Sequence, residues 1–144
     1  MENLPVNVSI LFIVTVLLTI ILFSKATPSR FFTMVLLLLW AVLFVVLGQM
    51  ELFTDTTSMP PRIIFMMGPA ILILLLFFVT KKGKSIVDKM DLRALTLVHV
   101  VRLPVEICLY ALAVHKTIPD LLTFEGRNFD IVMGISALPV VWWI

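Results

Sequence analysis

Five apolar runs separated by short connections decide what this chain can fold into. They occupy residues 4–23, 31–50, 63–80, 92–114 and 131–144. A helix rises about 1.5 Å per residue, so roughly 20 apolar residues cross a hydrocarbon layer of about 30 Å. The first four runs are read as full spans. The fifth is still hydrophobic at Ile144, where the sequence stops, and is too short to cross as a tilted helix. It is expected either to be an interfacial or re-entrant piece or to continue in a longer protein, and the second is preferred. Composition agrees, with 61% hydrophobic and 14% charged residues, against about 45–50% and about 25% in soluble domains. The expected fold is all-α: a polytopic transmembrane helix bundle, four full spans plus a fifth begun at the C-terminus, in one integral membrane domain over 1–144.

The first run lacks the basic leader of a cleaved signal peptide, and it is expected to be retained as a helix. Pro28 and small polar residues stop it, and Pro60 with Pro61 precedes the third run. Lys and Arg counts set the orientation. Lys25, Arg30, Lys81, Lys82, Lys84, Lys89 and Arg93 lie on one side, and Arg62, Lys116 and Arg127 on the other. Positive-inside then places the N-terminus outside and the Lys81 to Arg93 connection in the cytoplasm. That connection is expected to be an ordinary basic loop. The alternative is a short surface helix over SIVDKMDLR, with Ile86, Val87 and Met90 toward lipid.

The run at 92–114, LRALTLVHVVRLPVEICLYALAV, is apolar enough to span yet carries His99, Arg102 and Glu106. At 100° per residue, these three with Thr96 and Tyr110 fall within about one third of the helix circumference. Arg and acidic side chains near a span centre each cost about 2.5–3.5 kcal/mol, while Leu, Val and Ile return about 0.3–0.6 kcal/mol each. An i,i+4 contact between Arg102 and Glu106 would lower that cost. Pro104 lies between them, cannot donate its N–H and clashes with the Val100 carbonyl, so a kink is expected. Intramembrane charges of this kind face inward and mark a candidate site.

Three functions fit these residues. As a structural clamp, Arg102 and Glu106 bind each other and neighbouring helices. As a polar pathway or ligand site, Glu106 and His99 exchange protons while Arg102 holds an anionic group, on a kinked helix of the sort that lines transporter cavities. As an enzyme acting on a lipid or isoprenoid, Glu106 or His99 is the base, although no nucleophile or aspartate-rich motif accompanies them.

The connection HKTIPDLLTFEGRNFDI is the second polar concentration. Thr117 and Pro119 predict a short interfacial helix over IPDLLTF, Gly126 a tight turn, and Asn128 or Asp130 a helix cap. Glu125, Arg127 and Asp130 are read either as a solvated loop or as an outer lip above the Arg102–Glu106 site. Gly134, Ser136 and Ala137 would let another backbone approach closely, and Pro139 would bend its helix. Cys108 is read as a small packing residue, and a single cysteine excludes an internal disulfide. His99 and His115 face nearly opposite sides of a continuous helix, so no metal or other cofactor is expected. The net charge of +2 is too small to suggest nucleic acid.

Arg102, Pro104, Val105 and Glu106, followed by Thr123, Phe124, Gly126, Arg127, Asn128 and Asp130, form R-x-P-V-E and T-F-x-G-R-N-x-D patterns. Over its last third the chain resembles a family of uncharacterised bacterial multi-pass membrane proteins. The resemblance implies a bacterial inner (plasma) membrane protein with further spans after Ile144, and it brings no activity. The function expected is a small transporter-like or solute-sensing protein, with candidate ligand or ion-pathway residues His99, Arg102, Glu106, Tyr110, Arg127 and Asp130. A structural or assembly subunit is the alternative, and a lipid-modifying enzyme comes third, catalysis being the less expected role. The partners expected are the lipid bilayer, a small solute or proton, and a second copy or membrane partner subunit.

Overall fold

The computed structural model describes residues 5–50, 63–124 and 128–144. Apolar sequence with few breakers folds into helices α1 (Val6–Ala26), α2 (Arg30–Gln49), α3 (Ile63–Val79), α4 (Lys81–Val87), α5 (Leu92–Val98), α6 (Arg102–Val114) and α7 (Asp130–Trp143). Single 3-10 turns lie at His99–Val101 and Asp120–Leu122, and there is no strand among the described residues. Three helices are long and apolar enough to cross a membrane: α1, α2 and the joined Leu92–Val114 helix, of 21, 20 and 23 residues. At 17 residues α3 extends only about 25 Å, and α7 has 14 residues.

The helices group into two compact units, 1–26 with 91–144, and 27–90. In the second, α4 replaces the plain loop expected between the third and fourth runs. Its N-cap is Thr80, whose hydroxyl accepts from the Gly83 amide at 3.0 Å, and Lys84 N–H reaches the Thr80 carbonyl at 3.0 Å. The chain turns tightly enough there that a Cβ on Gly83 would lie 2.4 Å from the Phe77 Cα. Helix α2 buries none of its residues, and its Trp40 and Phe44 rings meet edge to face one turn apart.

The first unit packs α1, α5–α6 and α7 together. Asp91 begins α5, its side chain accepting from the Arg93 and Ala94 amides, while its own N–H bonds the Ala26 carbonyl at 2.9 Å. That bond ties the end of α1 to the start of α5, so α1 runs antiparallel to α5–α6. The first helix therefore contributes to the interior of this unit: Thr15, Ile20 and Ser24 are buried, and the Thr15 hydroxyl stands beside the buried Cys108 thiol. Thr15 and Thr19 also bond carbonyls four residues back, as their positions in an apolar helix require.

The kink expected at Pro104 takes the form of a helix restart. The Arg102 N–H turns to the His99 carbonyl, three residues back, closing a 3-10 turn. Pro104 becomes the third residue of α6, where a missing N–H costs little because first-turn amides have no intrahelical acceptor. Helix α6 ends in a Schellman arrangement: Lys116 N–H reaches the Ala113 carbonyl at 2.7 Å and Thr117 N–H the Leu112 carbonyl at 3.0 Å. Lys116 adopts φ 54° to do so.

Candidate functional site

Glu106 is the centre of the polar cluster. It is 1% exposed, and with Thr123 it is one of the two largest fully buried side chains among the described residues. The Asn128 side-chain amide donates to Glu106 Oε1 at 2.6 Å and to the Leu122 carbonyl at 3.2 Å. The Asn128 carbonyl oxygen in turn accepts from the Asp130 amide at 3.1 Å, at the entrance to α7. Oε2 of Glu106 has no hydrogen-bond partner among the described residues.

Arg102 does not clamp Glu106. Its guanidinium pairs with Asp130, the first residue of α7, with the two side chains 37% and 49% exposed. One feature favours this choice: Asp130 stands at the positive end of a helix dipole. Tyr110 stacks on Phe124, with ring centroids 5.2 Å apart.

These contacts form a ladder. Tyr110, Glu106 and Arg102 lie four residues apart along one face of α6, and they meet Phe124, Asn128 and Asp130 in turn. The connection after α6 therefore folds back along that helix and delivers α7 at the level of Arg102, the eleventh residue of the 23-residue Leu92–Val114 helix. Asp130 accordingly lies level with Arg102. The helix expected over IPDLLTF is a single 3-10 turn, because Pro119 is extended and the Thr123 hydroxyl caps the Asp120 carbonyl at 2.8 Å. Gly134 provides the close approach expected of it: a Cβ there would stand 3.1 Å from the Leu103 side chain.

His99 lies apart from the ladder. It is exposed, and with Thr96 it lines an open cleft of about 190 Å³ against Met133, Ser136, Ala137 and Val140 of α7. The Thr96 hydroxyl is satisfied within its own helix by the Leu92 carbonyl at 2.9 Å. Arg127 and Glu125 lie outside the described residues. The residue that sequence reasoning undervalued is Asn128, read only as a cap. Its place in the T-F-x-G-R-N-x-D pattern was the one available signal of a second role. No group of three or more metal-ligating side chains occurs among the described residues.

The chain matches no protein-family model, and no significant match to it is found among curated proteins or solved structures.

Proposed function

We propose that this chain is a multi-pass integral membrane protein, with transporter-like or solute-sensing activity, whose site is the Glu106-centred cluster on α6. The observation that carries the reading is the connection after α6, whose described parts, 115–124 and 128–129, are irregular apart from one 3-10 turn and meet that helix progressively nearer its middle. Irregular backbone at membrane depth is tolerated only where protein covers it or a polar cavity receives it, and transporters use such broken segments at their binding sites. The four-span reading with a fifth segment belongs to this proposal, as does a bacterial inner-membrane location with the N-terminus outside. In this arrangement α7, which begins at Asp130, enters near mid-depth.

A second reading, a structural or assembly subunit, is favoured by the same contacts, because the Arg102–Asp130 pair and the Asn128–Glu106 bond hold the connection without any ligand. The double substitution Arg102→Met with Asp130→Asn separates the two, since it leaves neither charge unpaired. Reconstituted into vesicles, the site reading expects a folded protein that has lost solute uptake or binding across a panel of small solutes. Binding and uptake equal to the parent's would overturn it in favour of the structural role.

A further inference from the structure

We infer that Glu106 is a proton-binding site whose occupancy controls the connection between α6 and α7. The inference rests on the reading of the cluster as an intramembrane ligand site and names its ligand. Among the described residues the one buried side-chain polar atom without a hydrogen bond is an acceptor, Glu106 Oε2, so the missing partner is a donor or a cation. An anion finds no free charge on Arg102, which is engaged with Asp130. A metal ion requires several oxygen ligands, whereas no cluster of metal-ligating side chains exists among the described residues. A proton needs a single lone pair, and Oε2 supplies it.

The surroundings favour that choice. Among the described residues the nearby charged groups are Arg102, already paired, and Asp130, which carries the same sign as an ionised Glu106. From α1, the uncharged Thr15 stands beside Cys108, two residues along α6 from Glu106. The flanking 3-10 turns carry only exposed groups, His99 on one and Asp120 on the other. A proton taken from water onto Oε2 converts the carboxylate to a carboxylic acid and removes a buried charge, while Oε1 keeps the Asn128 bond. Loss of that proton leaves a buried charge beside Asp130 and loosens the segment that Asn128 holds, including its amide bond to the Thr123 carbonyl at 3.4 Å.

The test uses the full chain in lipid nanodiscs with isotope-labelled glutamate, read by infrared spectroscopy and by hydrogen exchange at the Thr123 and Asn128 amides. The expected result is a protonated-carboxyl band that titrates with pH, persists when sodium is replaced by choline, and vanishes in Glu106→Gln. Over that titration, exchange at the two amides, corrected for intrinsic rates, rises by up to about tenfold per pH unit in the parent and stays flat in the variant. Absence of the band at every pH in the unsubstituted protein overturns the inference, even if the variant fails to fold. A band that responds to sodium at fixed pH overturns it in favour of a metal cation. A titrating band with no solute bound or transported would retain the proton site and sink the transport reading. Solute binding without the band would do the reverse.

Discussion

At Glu106, burial and hydrogen bonding meet. A buried polar group deprived of its partner costs about 1–3 kcal/mol, and more if charged, so the Asn128 bond is what makes this position tolerable. The Arg102–Asp130 pair is half-exposed, and where water reaches it such a pair contributes about 0–1 kcal/mol. Its effect is chiefly to set where α7 starts. Lys116 is a simpler case. A side chain in the left-handed region costs about 1–2 kcal/mol relative to glycine. Lys116→Gly therefore should raise the midpoint of reversible denaturation by an equivalent of about 1 kcal/mol, the Schellman bonds being untouched. An unchanged or lower midpoint would show that the lysine repays its backbone strain through its side chain.

Among the elements, the corner between α3 and α4 depends most sharply on one residue. Because a Cβ on Gly83 would collide with the Phe77 backbone, no side-chain adjustment relieves it. Gly83→Ala is expected to cost about 1–3 kcal/mol, and to speed hydrogen exchange at Lys84, whose amide bonds Thr80 across that corner. Exchange no faster than the parent's would mean that α4 keeps its place without the tight turn. The restart at Pro104 teaches a related lesson. Proline position predicted a disturbance correctly, but only the 3-10 turn before it reveals how the backbone accommodates it: the missing N–H moves into a first turn, where no acceptor awaits it.

For the whole molecule, the basic residues predict that the two ends of the Leu92–Val114 helix face opposite sides of the membrane. Single cysteines at Arg93→Cys and Thr117→Cys, in a Cys108→Ala background, test this in sealed vesicles with an impermeant thiol reagent. Cytoplasmic labelling at position 93 and external labelling at position 117 are expected. Labelling of both from one side would overturn the assignment of this helix as a span. The outcome bears on the ladder as well, because only a spanning helix puts Arg102 and Glu106 at membrane depth.

What the sequence determined alone was the long apolar helices and the anomaly among them. Apolar runs fold into helices because each must satisfy its backbone internally, and α2, α3 and the Leu92–Val114 helix lie on three of them. The polar stripe was legible too, since helical periodicity is local. The partners were decided by the tertiary structure. Nothing in the spacing of Arg102 and Glu106 reveals that one turns to Asp130 and the other to Asn128, because those partners arrive by a chain reversal. A one-dimensional pattern records which face of a helix is polar. Which segment comes to lie on that face depends on where α6 ends, how the connection folds back, and how closely Gly134 lets α7 approach Leu103.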